Sequence, residues 1–168
     1  VDKFVHEGAV RRFLDKLVED SDTSMYPFST DEFRDHFKHT FWLLPGVKET
    51  AALKELLDEH DIFGIENGMF HIINAAGDGN IEDKDGSALA DVEDNIRGNA
   101  KKNITKKEYT ITLSCGKLTT GVSVPEWTAV LCMKGSENTP AANYMQTIFR
   151  VQTHAVLEGR QKTECYVF

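Results

Sequence analysis

The sequence predicts an α/β fold, a mainly parallel sheet flanked by helices. Two observations carry this. Short apolar runs of strand length alternate with longer stretches in which apolar residues recur at helical spacing. The runs themselves, such as Phe41-Trp42-Leu43-Leu44 and Thr128-Ala129-Val130-Leu131-Cys132-Met133, suit strands buried between covering helices.

Taken in order, residues from Asp2 to Val18 read as an amphipathic helix, with Phe4, Val5, Ala9, Val10, Phe13, Leu14 and Leu17 at helical spacing. Glu19 to Thr30 is a polar connector broken by Pro27, and Ser29 or Thr30 is placed to cap a short helix running to His36. Phe41–Leu44 is a strand closed by Pro45-Gly46. Val47–His60 carries Ala51, Ala52, Leu53, Leu56 and Leu57 at helical periods, and Phe70–Asn74 is the next strand. Ala75–Ser87 is rich in Gly, Asp, Asn and Lys and reads as a surface loop. Ala88–Asn103 is helical, with Leu89, Val92 and Ile96 on one face. Tyr109–Ser114 is rich in β-branched residues and reads as a strand. The run Thr128–Met133 is another, Gly135–Pro140 a loop, Ala141–Val151 a helix, and Cys165–Phe168 part of a final strand.

A chain of 168 residues is one domain, or one domain with a helical appendage, and buries a sizeable core. It starts at Val1 and stops at Phe168 inside an apolar run, which suggests a piece excised from a longer polypeptide. The sequence contains no apolar run of membrane-spanning length and no signal segment. Cys115, Cys132 and Cys165 have no CxxC spacing and sit in apolar or strand-like settings, so they read as reduced core residues of a cytoplasmic protein. The net charge of −8 argues against a free-standing DNA-binding module.

Ligands on parallel α/β folds gather at the carboxyl ends of strands. The loop Thr119-Thr120-Gly121-Val122-Ser123-Val124-Pro125 follows the Tyr109–Ser114 strand and its short extension, so its position suits a site. A glycine after two threonines lets backbone amides approach a phosphate or ribose closely, while the hydroxyls donate hydrogen bonds. An ordinary strand-to-strand turn explains the same residues. Gln146 and Arg150 lie one turn apart on a helix and share a face. An Arg projecting from a helix toward a neighbouring domain stabilises charge on a transferring phosphoryl group. A solvated helix with one structural Arg is the plain alternative.

Leu118–Trp127 followed by Asn143–Gln152 resembles the last two motifs of the second motor domain of superfamily 2 helicases and translocases, most closely the motor subunits of type I and type III-like restriction-modification systems. Thr120, Gly121, Val122, Val124 and Pro125 match the first motif, and Ser123 stands where the family usually has Asp. In the second motif Gln146 and Arg150 match, while Thr153 stands where a further Arg is common. The strand, Pro-Gly turn and Ala/Leu-rich helix over Phe41–Leu57 resemble the opening of that domain, with Lys48 as a phosphate contact or an exposed helical lysine.

The resemblance implies a RecA-like domain over residues 39–168, with residues 1–38 a helical segment or linker of the parent chain. It implies the closing half of an ATP cleft, catalytic roles for Arg150 and Gln146, and nucleotide contacts from Gly121, Ser123 and Gln152. Thr119, Thr120 and Lys117 would touch the DNA backbone. ATP with Mg would be held mainly by a first motor domain. The implied partners are DNA, that N-terminal motor domain, and nuclease and methyltransferase or specificity domains or subunits. The rival is a degenerate RecA-like protein-interaction domain without motor activity, which the acidic charge, Ser123 and Thr153 would suit.

Other chemistries find less support. Asp58-Glu59-His60-Asp61 spells something like the metal-binding box of helicases, but it follows a helix pattern and no phosphate loop precedes it. Asp78–Gly86 resembles a calcium loop but lacks Gly at the sixth position and Glu at the twelfth. The six histidines show no zinc spacing, and there is no GxSxG elbow and no GxxxxGK[ST] loop. A small nuclease is disfavoured because no paired carboxylates accompany a lysine in a core pattern. No metal ligands are expected.

Overall fold

The computed structural model describes residues 3–21, 26–64, 68–76, 85–115, 123–134 and 141–168. Five parallel strands form the sheet: β1 (His39–Leu43), β2 (His71–Asn74), β3 (Thr110–Ser114), β4 (Ala129–Cys132) and β7 (Tyr166–Val167), in the order β2-β3-β1-β4-β7. Register is continuous across the centre, where Trp42 of β1 lies between Leu113 of β3 and Leu131 of β4. This is the α/β architecture that the alternation of runs and helices predicts, and it is consistent with a RecA-like domain.

Strand periodicity divides the core in two. Trp42, Leu44, Ile72, Ile111, Leu113 and Leu131 face one side. They meet α1 (Glu7–Val18) through Leu14 and Leu17, and α3 (Val47–Glu59) through Leu53, Leu56 and Leu57. Phe28, Phe37, Phe63 and Phe70 fill the space between, with Phe28 in edge contact with Phe63 and Phe70 at centroid distances of 5.2 and 5.4 Å. Phe41, Ile73 and Val130 face the other side and meet α4 (Asp85–Arg97) through Val92 and Ile96, and α5 (Ala141–Val151) through Val151.

Local chemistry accounts for the element ends. Thr30 caps the short helix α2 (Asp31–His36): its hydroxyl accepts from the Phe33 amide at 3.2 Å. Ser29, the other candidate, donates to the Tyr26 carbonyl instead. α1 starts at Glu7 rather than Asp2, and no side chain caps it. α4 stops at Arg97 rather than Asn103 because Gly98 adopts φ +79°, and a single 3-10 turn over Ala100–Lys102 follows. Asp58–Asp61 falls at the end of α3, as a helix terminus rather than a strand-borne box.

One element escapes the sequence reading. β5 (Val156–Leu157) and β6 (Arg160–Gln161) form a hairpin through Glu158 (φ +50°) and Gly159 (φ +79°). Two consecutive positive φ values make the mirror-image turn that favours tight hairpins, and Glu-Gly is a weaker signal for it than Asn-Gly. The three cysteines carry no disulfide, but each is half-buried rather than fully buried. Among the described residues, no helix is long and apolar enough to cross a membrane.

His39, at the start of β1, makes stability depend on pH. Burial pushes its pKa down to about 4, and its Nδ1 lies 3.0 Å from the Thr110 hydroxyl. The unfolded chain takes up this proton as pH falls below about 6.5, whereas the folded chain resists it until about 4, so the contribution is whole above neutrality and lost across that window. The shift corresponds to about 3 kcal/mol at most. We expect unfolding free energy to fall from pH 7 to pH 4.5 and His39→Gln to remove most of that slope, His71 supplying a smaller remainder in the same direction. An unchanged slope in the variant would exclude His39 as its source.

Candidate functional site

β3 ends at the buried Ser114, and the segment that leads into β4 is described from Ser123. Lys117, Thr119, Thr120 and Gly121 lie outside the described residues, as do residues 78–84 of the calcium-like segment and the loop Gly135–Pro140. The described end of the glycine loop leads into the amino end of β4, so residues 123–127 lie toward the amino ends of the parallel strands, opposite the carboxyl ends at which the sequence reading places a site.

Residues 123–128 are held from several directions. Val124 and Trp127 are fully buried against Phe41, Val130 and Val151, and the Trp127 amide donates to the Val124 carbonyl at 3.1 Å to close a turn. The Phe41 and Trp127 rings lie 4.8 Å apart. Between these anchors Glu126 receives a two-point contact from Arg97 of α4, Nε to Oε1 at 2.5 Å and Nη2 to Oε2 at 2.9 Å. Burial opposes ionisation of Glu126, but the Arg97 contact outweighs it and holds the carboxyl below its usual range. Lys162, just after β6, donates its Nζ to the Pro125 carbonyl at 3.1 Å and to the Trp127 carbonyl at 2.6 Å.

α5 carries the second motif. Its inward stripe is Thr147, Arg150 and Val151, exposed by 1%, 5% and 0%. Tyr144, Met145, Gln146, Phe149 and Gln152 face solvent. Gln146 and Arg150 were expected to share a face. They sit roughly 40° apart around the helix, and the edge of the buried stripe runs between them. Gln146 is therefore solvated, whereas Arg150 lies on the core side with its pKa lowered by burial and does not project from the helix.

The two motif segments meet. The Ser123 hydroxyl hydrogen-bonds the Thr153 hydroxyl, and Thr153 also donates to the Arg150 carbonyl at 3.2 Å. Both positions at which the chain departs from the family pattern are thus in contact with each other. Val124 and Val151 share one core alongside them. Lys48 is exposed in the first turn of α3. Arg160 is exposed on the hairpin, and Lys162, two residues on, is the side chain that reaches the turn. Lys162, Arg97 and Glu126 are contributions that sequence reasoning missed. Their partners lie 29 to 37 residues away, so no local spacing announces them.

The described donors are engaged within the domain: the Ser123 and Thr153 hydroxyls bond each other, Thr153 also bonds the Arg150 carbonyl, and the Trp127 amide bonds the Val124 carbonyl. Among the described residues no group of three or more His, Cys, Asp or Glu side chains is placed to hold a metal ion.

The chain is 33% identical over 172 residues to a Mycoplasma pneumoniae (strain ATCC 29342 / M129 / Subtype 1) protein described as "Putative type II restriction enzyme and methyltransferase RM.MpnORF110P C-terminus". The similarity takes in 99% of this chain and 22% of that protein, so the chain spans about a fifth of the relative's length. This places the chain in relation to a restriction-modification protein, one described as type II rather than type I or type III. No protein-family model matches the chain. No solved structure matches it.

Proposed function

We propose that this chain is the closing motor domain of an ATP-dependent DNA translocase or helicase belonging to a restriction-modification enzyme. The observation that carries the reading is the meeting of the two motif segments, through Ser123 and Thr153 and through the shared packing of Val124 and Val151. A nucleotide-responsive domain needs these segments to move as one body. The relation to a restriction-modification protein supports the restriction part of the reading; the motor part rests on the motifs alone.

In this account ATP with Mg supplies the phosphoryl chemistry and is bound mainly by a first motor domain of the same polypeptide. Arg150 faces the terminal phosphate and Gln146 accompanies it, while Gly121, Ser123 and Gln152 approach the nucleotide. Arg150 is only 5% exposed on the core side of α5, so the role requires its guanidinium to turn outward when the cleft forms. Thr119, Thr120 and Lys117 hold a DNA phosphate. Two cleft states that bind DNA differently convert closure into movement along the strand. Nuclease and methyltransferase functions belong to other parts of the assembly.

A protein-interaction domain without motor activity is the second reading, favoured by the exposed apolar residues Tyr144, Met145 and Phe149 on α5. One experiment separates the two. The full-length protein is expected to hydrolyse ATP with strong stimulation by DNA, and this chain alone to hydrolyse none. A full-length protein whose polypeptide lacks a phosphate-binding loop, or whose ATP turnover ignores DNA, would favour the interaction domain.

A further inference from the structure

We propose that Lys162 is a positioning residue for the loop between β3 and β4, fixing the turn Val124–Trp127 as that loop's rigid end. The functional part of the proposal rests on the motor reading above.

A turn buried beside the core leaves carbonyls that must find donors. Those of Pro125 and Trp127 both find the Lys162 ammonium, at 3.1 and 2.6 Å. Charge-assisted bonds of this kind are about twice as strong as neutral ones. Lys162 is itself held in place: its amide donates to the Ala155 carbonyl at 2.8 Å, which continues the β5–β6 ladder beyond Gln161. The hairpin thus acts as a frame from which one side chain reaches across to the turn. Half-burial of the ammonium, which lowers its pKa, accords with a charge kept for internal bonding rather than for solvent.

Besides the Trp127–Val124 bond that closes it, the turn is restrained through side chains, Glu126 to Arg97 and Ser123 to Thr153. Lys162 grips the main chain directly, on both sides of Glu126. Removing it frees two half-buried carbonyls beside Ser123, whose hydroxyl meets Thr153 and through it the Arg150 carbonyl. The position of Ser123 relative to Arg150 then loses definition, and Lys162 acts through the turn rather than on a reacting group.

The test uses Lys162→Met and Lys162→Gln as disruptive variants and Lys162→Arg as the conservative one. Amide hydrogen exchange is read at Trp127, with Phe41 and Trp42 of β1 as internal controls. The two disruptive variants are expected to raise exchange at Trp127 by about tenfold while the β1 amides stay protected, and Arg is expected to restore protection. In the full-length protein, kcat for DNA-stimulated ATP hydrolysis is expected to fall about tenfold in Lys162→Met with KM for ATP within about twofold, and Arg is expected to recover it. Unchanged exchange at Trp127, or equal acceleration at β1, would overturn the positioning claim. Accelerated exchange with unaltered kcat would overturn its functional part. A wild-type protein with no DNA-stimulated hydrolysis would overturn the motor reading instead, and the exchange data would still decide whether Lys162 holds the turn.

Discussion

Arg150→Ala in the full-length protein is expected to cut DNA-stimulated ATP turnover by about a thousandfold or more, while DNA affinity stays within about twofold of wild type. The asymmetry follows from where the charge sits. Arg150 is 5% exposed on the core side of α5, and its carbonyl is tied to Thr153, which contacts Ser123 at the end of the glycine loop. In the proposed motor reading this guanidinium turns to meet the charge that develops on a transferring phosphoryl group. In the same reading the DNA backbone contacts are assigned to other residues, so affinity is expected to survive. Truncating a buried Arg also removes packing, and thermal unfolding of each variant separates the two effects. Arg150→Lys keeps a charge but lacks the planar fork, and is expected to retain fold and DNA affinity with turnover close to that of the Ala variant. Full turnover in a folded Arg150→Ala protein would remove Arg150 from the mechanism.

The largest stability effect is expected at Trp127. Trp127→Ala should destabilise the chain by about 3–5 kcal/mol, the range for large aromatic truncations in a core, and lower Tm by roughly 10 °C. The ring is fully buried and packs 4.8 Å from Phe41 of the central strand, so its loss opens a cavity between the sheet and the loop entry. Among the described residues the indole Nε1 is buried without a hydrogen-bond partner. Trp127→Phe therefore forfeits no hydrogen bond and is expected to cost less than half as much as Ala, with the remaining loss due to volume. Equal destabilisation by Phe and Ala would mean that the indole edge is bonded after all. Calorimetry of both variants decides this.

The parts of this fold legible in the sequence are those governed by local pattern. β1, β3 and β4 are apolar or β-branched runs, α3 and α5 follow helical spacing, and the Thr30 cap obeys short-range chemistry. The hairpin at 156–161 was missed because two-residue strands carry too little periodicity to register. At the site, the order of the motifs anticipates that Ser123 and Thr153 belong to one region, yet their contact depends on how α5 packs against β4. The burial of Arg150 was hidden for a similar reason. Helical spacing places Gln146 and Arg150 near one another, but where the core boundary falls between them is a tertiary matter. The Lys162 and Arg97 contacts are long-range pairings with no sequence signature.

The central claim is that this domain closes on a nucleotide held by a neighbouring one, with Arg150 as the closing cation. A structure of the full-length protein with a non-hydrolysable ATP analogue and DNA tests it most directly. The account predicts the Arg150 guanidinium in contact with the terminal phosphate across the interface, with Ser123 and Thr153 still joined beside it. A bound analogue with Arg150 facing away from the phosphates would contradict the account.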